Sequence, residues 1–558
     1  MRKFSIILIP IFLLSSVVQA NSNEMPNLVT EIQEQLEDPI YLVAQKKKKK
    51  KKSSKKRRKS RKKRRKAKID LLAKAKKLAI DKQYEKSSQL LFSLTRSSRY
   101  RKNSSQIKYI LGLMLMEMGL YQVASFVFYD VISGEIRAGR TSKYLRQSLG
   151  KLSFLSNALD SDVLLKYTIS KIKVKDFPRE KKDLFYYRLG ELRLKEKRYS
   201  QAAKIFSRVD PESLVYPKAI YKQGLAYAES KKGAKALAAF QELYDISKNK
   251  SVTDPNRVNA ILSMARVYYA NKKWDKAIEY YRDIPRDTWQ WHDSLFEMSW
   301  AMLRSGRYFR SALSNFHTLH SAYYDDRYAP ESLLLRGMVY LFICRYDEMG
   351  KVLDLFDKIY KPVNSRVRRF TSTASSKSYL DEVNKGEANY QAARKQEKEK
   401  FKTRLPKIVL NEIIGRPNIR RNLNYIKALE GELTKIKKLS IEWQTSGIGK
   451  YAKRVVDKRM RSTRSVIGKQ AKNHLRRIRS ELRDFFEQSD FLKFEMVSGK
   501  KESLRKEIAG KGLLNKQITE EESRSYFIAN GFEYWPFQGE YWLDELGNYH
   551  YVGVQACE

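Results

Sequence analysis

A repeat of about 34 residues runs through the middle of this 558-residue chain. Gly190 and Gly224 lie 34 residues apart, and each is followed by an alanine 12 residues later and a phenylalanine 16 residues later. Ala265 and Ser299 begin further copies at the same separation. A period of this length predicts stacked helical hairpins, because a single hairpin leaves an apolar face that only a neighbouring copy covers.

The copies from Phe185 to Pro211 and from Ile220 to Tyr244 show Leu-Gly or Gly-Leu on one helix and Ala and Phe four residues apart on the next. This pattern resembles the tetratricopeptide repeat family. Seven or eight hairpins fit between Ile69 and about Tyr360, with the weakest copies at 142–170 and 334–356. An unrelated α-helical repeat of similar period remains the alternative.

The spacing also predicts how each hairpin packs. Gly or Ala on the first helix lets the second helix approach closely, and Ala and Phe, four residues apart on one face of the second helix, pack onto the neighbouring repeat. The resemblance implies that the first helices line a ligand-facing groove. The candidate groove residues are Tyr187, Glu191, Lys195, Tyr221, Leu225, Glu229, Arg266, Tyr269, Phe296, Trp300 and Arg304. Aromatic and arginine side chains suit peptide anchoring, although ordinary interhelix packing would explain each position by itself.

The N-terminus has the three parts of a secretory signal. Arg2 and Lys3 precede an apolar stretch from Phe4 to Val18, and Ala20 ends a cleavage-site pattern. We therefore predict export to the periplasm with removal of residues 1–20, although an uncleaved anchor is the alternative. The following segment, 21–45, contains acids and no Lys or Arg, which favours export.

Residues 46–68 include 19 Lys or Arg and no acid, within a chain of formal net charge +51. Such a block repels itself and predicts a disordered arm. It is either a solvated tether, a binder of anionic membrane or lipopolysaccharide, or a nucleic-acid binder, and export argues against the last. The candidate polyanion-binding residues are Lys46, Lys50, Arg57, Arg58, Arg61, Arg64 and Arg65.

The C-terminal third predicts amphipathic helices. Apolar residues recur every three or four positions from Ile419 to Leu439, so this helix pairs in a coiled coil or packs within the chain. Residues 450–479 carry 12 basic residues and one acid beside the stripe from Ile467 to Leu482. That helix lies on an anionic membrane, or docks by its stripe and keeps its basic residues in solvent.

The tail is dense in aromatic residues, and Asp544–Asn548 reads as a turn before an alternating stretch, Tyr549–Val554. These features predict a small β cap on the repeats, with a carbohydrate platform as the alternative. The stretch from Phe537 to Leu546 resembles the end segment of exported tetratricopeptide proteins in predatory and gliding deltaproteobacteria. Cys344 and Cys557 are the two cysteines, and they either pair or remain a core thiol and a tail thiol.

No catalytic motif is present. The sequence has no P-loop, Gly-x-Ser-x-Gly or His-Glu-x-x-His, and His317 and His320 lack a third metal ligand nearby and read as a solvent-facing pair. We expect no enzyme activity, cofactor, metal or nucleic acid. A lytic or glycan-binding site around Glu540 or Asp544 is the remote alternative.

The sequence thus predicts an all-α protein: a tetratricopeptide-like helical-hairpin solenoid, then amphipathic or coiled-coil helices and a small aromatic-rich β cap. The predicted segments are 1–20 signal peptide, 21–45 acidic segment, 46–68 basic arm, 69–360 solenoid, 361–400 polar linker, 401–520 basic amphipathic helices and 521–558 cap. The resemblance implies a periplasmic scaffold that binds a peptide or a subunit of a cell-envelope machine, for motility or outer-membrane assembly. The alternative is a polyanion binder whose repeats act as a spacer.

Overall fold

The computed structural model describes residues 70–139, 142–161, 163–324, 327–508 and 546–547. Throughout these ranges the regular structure is helical. Consecutive helices pair into hairpins along the repeat region, and longer helices follow. The helices, in chain order, are α1 (Leu71–Ile80), α2 (Tyr84–Thr95), α3 (Ser104–Glu117), α4 (Tyr121–Arg137), α5 (Lys143–Ala158), α6 (Val163–Ile169), α7 (Lys182–Lys195), α8 (Tyr199–Phe206), α9 (Tyr216–Glu229), α10 (Gly233–Ser247), α11 (Pro255–Ala270), α12 (Trp274–Arg282), α13 (Gln290–Ser305), α14 (Phe309–Leu319), α15 (Pro330–Phe342), α16 (Tyr346–Thr373), α17 (Ser376–Arg394), α18 (Lys407–Gly415), α19 (Pro417–Lys438), α20 (Ile441–Thr445) and α21 (Gly447–Ile508).

The chain forms two compact units. Unit 1 comprises Met1–Lys195 with Arg420–Arg464, and unit 2 comprises Glu196–Ile419 with Ser465–Glu558. Each unit therefore combines a stretch of repeats with a distant C-terminal segment. The described helix α21 contributes to both units, because the boundary falls between Arg464 and Ser465.

The close approach of the second helix to a glycine of the first helix, as the spacing predicted, occurs inside two hairpins. A Cβ atom on Gly112 would lie 2.6 Å from the ring of Phe128. In the next unit, a Cβ atom on Gly224 would lie 2.5 Å from the ring of Phe240. The second helix of each hairpin thus approaches the first so closely that only glycine leaves room for the ring.

The hairpin turns share a backbone feature. The residue two positions before the start of several second helices has a positive φ, a conformation that ends the first helix and reverses the chain. Lysine supplies it four times, at Lys82, Lys197, Lys231 and Lys272, with φ between 55° and 60°. An aromatic residue begins most of the following helices, such as Tyr84 in α2 and Trp274 in α12.

The prediction of a small β cap is wrong. No strand occurs in the described ranges, and of residues 521–558 the structure describes only Leu546 and Gly547, which form a turn. Two short strands by themselves are marginally stable in water, so a six-residue alternating pattern was weak evidence for a cap. The predicted turn at Asp544–Asn548 does include this pair.

The polar segment that the sequence analysis placed at 361–400 is largely helical. Helix α16 continues to Thr373 with Pro362 inside it, and α17 follows from Ser376. Val363, Val367 and Phe370 extend the buried face of α16, which explains why the helix does not end with the last repeat. None of the described helices combines the length and the apolar composition needed to cross a membrane.

Candidate functional site

The candidate site is the surface formed by the first helices of successive hairpins. In unit 2 these helices are α9, α11 and α13. Tyr221, Arg266, Tyr269, Phe296 and Trp300 are half-buried there. Arg304 and Glu229 are exposed, and Leu225 is buried in a cluster with Phe240, Met264 and Val267.

The charge of Arg266 is neutralised within this surface. Its guanidinium donates to both carboxylate oxygens of Glu297, at 2.8 Å and 2.6 Å, and the Tyr281 hydroxyl donates to the same carboxylate at 2.9 Å. Burial alone would lower the pKa of Arg266, but Glu297 raises it. Arg266 therefore holds α11 against α13 and is not a free anchor for an acidic ligand.

Sequence reasoning missed Glu297 and Tyr281. A usable signal was present, because Glu297 follows Arg266 by 31 residues, which is close to one repeat. Residues one repeat apart lie on neighbouring first helices, so opposite charges at that separation predict an ion pair between hairpins.

The aromatic residues of α11 and α13 remain partly open to solvent. Tyr269 packs edge-on against Trp274 with ring centroids 5.0 Å apart, and burial raises the pKa of its hydroxyl although Arg304 lowers it. Trp300 lies near Glu331 at the start of α15, where burial raises the pKa of the Glu331 carboxyl. Tyr269, Trp300 and Arg304 thus form the open part of the surface, which combines two aromatic rings with a cation.

Three predicted groove residues belong to unit 1, on α7. Tyr187 is buried and its hydroxyl donates to Glu191 at 3.2 Å, while Lys195 is exposed. Glu191 also accepts a hydrogen bond from Arg188 at 2.9 Å. Tyr187 and Glu191 therefore have structural partners on their own helix.

In unit 1, helix α3 is the first helix of its hairpin, and the middle of this helix has no face exposed to solvent. Every residue from Tyr109 to Met116 is buried. The same apolar cluster contains Tyr425, Leu429, Ile436 and Trp443 from the C-terminal segment. Helices α19 and α20 thus pack on the first hairpins, which decides the question left open for α19 in favour of packing within the chain.

Polar contacts fix this packing in unit 1. Both carboxylate oxygens of Glu432 accept backbone N–H groups at the start of α4, from Gln122 at 2.8 Å and Val123 at 3.1 Å. The indole N–H of Trp443 donates to Ser88 at 2.9 Å. Helix α4 lacks a capping side chain of its own, so Glu432 supplies the acceptors from 310 residues away.

The basic helix α21 is docked by its apolar stripe. Ile467, Ala471, Leu475, Ile478 and Leu482 are all buried. The stripe is therefore not available to enter a membrane, and basic side chains occupy other faces of the helix. In unit 1 four of them are exposed and form no ion pair within the described chain: Lys450, Arg454, Lys458 and Arg461.

The histidine pair at the C-terminal end of α14 is half-buried, contrary to the expectation of a solvent-facing pair. His320 lies 2.8 Å from the Ser332 hydroxyl, and its ring stacks on Phe316. Within the described ranges no group of three His, Cys, Asp or Glu residues could hold a metal ion. The basic arm 46–68 and Cys557 lie outside the described residues, so polyanion binding by the arm and the Cys344–Cys557 pair stay predictions.

Stacked helical hairpins with a partly open first-helix surface define a helical-repeat protein. Residues 259–287, which cover most of α11 and all of α12, match the model of the tetratricopeptide repeat family, so this hairpin is similar to a tetratricopeptide repeat. Such repeats generally serve as non-enzymatic scaffolds for protein–protein interactions. The match does not include the C-terminal tail, whose resemblance to exported proteins of deltaproteobacteria is therefore not shown.

One similar solved structure is the crystal structure of a tetratricopeptide repeat protein from Parabacteroides merdae. It is 13% identical in sequence, with a TM-score of 0.23, and the alignment covers 52% of this chain and 91% of that one. No curated protein matches the chain.

Proposed function

We propose that the protein is a scaffold whose unit 2 binds a protein partner through the open first-helix surface at Tyr269, Trp300 and Arg304. The observation that carries this is the contrast between α3 and the helices α11 and α13. Residues 109–116 of α3 are all buried, whereas Tyr269, Phe296 and Trp300 are half-buried and Arg304 is exposed. Aromatic and arginine side chains are the commonest anchors at protein interfaces.

The finer proposal places this scaffold in the periplasm of a Gram-negative cell. The signal-like residues 1–20 support export, and the basic arm 46–68 supports retention at an anionic envelope surface. The partner would be a peptide or a subunit of an envelope machine for motility or outer-membrane assembly. The resemblance of the tail to exported deltaproteobacterial proteins supports that choice.

Site-specific photo-crosslinking in intact cells tests the binding surface. A photoreactive residue at Arg304 should form an adduct with a partner protein, and the same residue at Lys235 should not. Lys235 is likewise an exposed basic residue of unit 2, but it lies on α10, the second helix of its hairpin. Trp300→Ala should weaken the purified complex about tenfold or more, the usual loss for an aromatic anchor. Equal adducts from both positions would contradict the proposal.

Cell fractionation tests the compartment. The full chain should appear in the periplasmic fraction, and a chain without residues 1–20 should stay in the cytoplasm. Deleting residues 46–68 should reduce envelope retention while the partner complex survives. Loss of all binding on that deletion would favour the alternative function instead.

That alternative is polyanion binding, and one observation favours it. Lys450, Arg454, Lys458 and Arg461 follow one another at three- or four-residue steps on α21, so they share one exposed face. Because the apolar stripe is buried, binding through this face would be electrostatic and strongly salt-dependent. In a chain without residues 46–68, Lys450→Glu with Lys458→Glu should then weaken binding to lipopolysaccharide or heparin at low salt, and Lys235→Glu should not.

A further inference from the structure

The described part of the tail docks on unit 2. The backbone N–H of Gly547 donates to the hydroxyl of Thr318 at 2.9 Å. Thr318 is the penultimate residue of α14, and Trp291, which also contacts the turn, is the second residue of α13. Since the two helices form a hairpin, these positions lie at the same end of it. Leu546 is buried, with 5% of its surface exposed.

Two independent features require glycine at this position of the turn. The φ of Gly547 is +86°, a conformation that other residues rarely adopt. A Cβ atom there would also lie 2.8 Å from Cζ2 of Trp291. The rigid indole cannot give way as a flexible side chain would, so the surface selects glycine by shape as well as by backbone conformation.

The surface that contacts the Leu546–Gly547 turn carries polar groups as well as the indole ring. Thr318 is fully buried and its hydroxyl serves as the acceptor for the turn. The Nε atom of Arg286 lies 4.0 Å from the position of a Gly547 Cβ, and the guanidinium stands 6.0 Å from the Trp291 ring centre.

We propose that Arg286, Trp291 and Thr318 form a recognition site for a leucine–glycine turn, which the chain's own Leu546–Gly547 occupies in cis as a reversible clasp. When the cis turn is weakened, the site accepts the same turn from a separate peptide. This site is distinct from the partner-binding surface at Tyr269, Trp300 and Arg304, and it does not depend on the proposed function.

The test uses the full chain with Gly547→Ala and a labelled peptide of residues 540–552. Gly306→Ala is the matched control, because Gly306 has φ +73° but nothing within 4 Å of a Cβ position. Both substitutions strain the backbone, and only the first also meets the indole. Fluorescence anisotropy should show the peptide binding Gly547→Ala at least about tenfold tighter than it binds the wild type or Gly306→Ala.

Two further variants keep the proposal open to refutation. A peptide carrying alanine at the position of Gly547 should bind none of the chains. Adding Thr318→Val to the Gly547→Ala chain removes the acceptor at nearly constant volume and should weaken binding of the wild-type peptide about tenfold. Equal binding of the glycine and alanine peptides, or no binding of the glycine peptide to Gly547→Ala, would overturn the proposal.

Discussion

Single polar residues connect helices that are far apart in sequence. Glu297 joins α11 to α13 through Arg266, and Glu432 joins α19 to the start of α4. Each carboxylate accepts several hydrogen bonds in a poorly solvated place, where removal of one partner leaves the others unsatisfied. The stability of the repeats therefore depends on a few residues outside the apolar pattern.

Glu297→Ala should destabilise unit 2 by about 2–3 kcal/mol, because it leaves the poorly solvated Arg266 without its partner. Side-chain exposures are 23% for Arg266 and 19% for Glu297. Urea unfolding followed by tryptophan fluorescence measures the change. Asp275→Ala is the control: its pair with Arg307 is 56% and 67% exposed, so the loss should stay within about 0.5 kcal/mol. Equal losses for both variants would contradict the assignment.

Lys272→Gly should stabilise unit 2 by about 0.5–1 kcal/mol, since Lys272 has φ 60° at the turn between α11 and α12. Lys273→Gly is the matched control. Lys273 has φ −90°, so glycine there gains nothing and adds freedom to the unfolded chain. Thermal unfolding should move in opposite directions for the two variants, and a fall for both would refute the explanation.

At the scale of elements, the sequence pattern identified most helices and their buried faces. The repeat spacing predicted that glycine in the first helix lets the second helix approach closely. Gly112 and Gly224 do so, and the structure adds that a phenylalanine ring of the following helix lies against each of them. The pattern could not decide what covered α19, because an apolar stripe is the same whether its partner is a second chain or the first hairpins. Only the positions of Tyr425 and Trp443 in the unit 1 cluster resolved it.

The end of the hairpin α13–α14 should be sensitive to acid. Burial lowers the pKa of His317 to about 4 and lowers those of His292 and His320 as well. Charged neighbours also shift these pKa values. Arg336 from α15 lowers the pKa of His317, and Arg327 lowers the pKa of His292. Asp293 raises the pKa of His292 and so opposes the effect of burial.

Since the folded pKa values lie below the unfolded value of 6.5, the unfolded chain binds more protons as pH falls below 6.5. His317 should therefore cost unit 2 about 1–2 kcal/mol of stability between pH 7 and pH 5, measured by urea unfolding, and His292 and His320 should add losses of the same sign. In His317→Gln the loss of stability between pH 7 and pH 5 should be smaller by the contribution of His317. A stability that is constant over this range would rule out the burial of neutral histidines.

Unit 1 should respond to pH in the opposite direction. Burial raises the pKa of Glu432 to about 7 even though two backbone N–H groups lower it. Its contribution is therefore full below the unfolded value of about 4.5 and is lost as pH rises to 7. We expect a loss of about 2 kcal/mol over this window, absent in Glu432→Gln.

Trp443 reports on this transition, because it is the tryptophan of unit 1 and its side chain is fully buried. Fluorescence of Trp443 in a chain whose other tryptophans are replaced by phenylalanine should show the denaturation midpoint falling between pH 4.5 and pH 7. The same trend in Glu432→Gln would assign the pH dependence to another group.

At the scale of the whole molecule, neither unit is a continuous stretch of chain. Residues 70–195 share their core with 420–464, and this segment supplies Trp443, Ile448, Ala452 and Val456 to the cluster. The repeats of unit 1 are thus completed by helices that are encoded more than 200 residues later.

A fragment of residues 70–195 should aggregate or remain partly unfolded when produced alone, because it exposes the apolar surface that residues 420–464 cover. Co-expression with a 420–464 fragment should restore a soluble complex, detected by size-exclusion chromatography and circular dichroism. The fragment with Trp443→Ala should restore less, since it removes the largest buried ring of the segment. A soluble, cooperatively folding 70–195 fragment would contradict this account.

The sequence by itself determined the helical hairpins, the close approach of their helices at glycine and the amphipathic faces of α19 and α21. Local spacing encodes these, since each depends on residues within one repeat or one helix turn. The tertiary structure alone decided which surfaces stay open. Glu432 at α4, Glu297 beside Arg266 and the Gly547 turn at Trp291 join residues 31 to 310 positions apart. No periodic pattern records such a contact, because it depends on where folded elements meet.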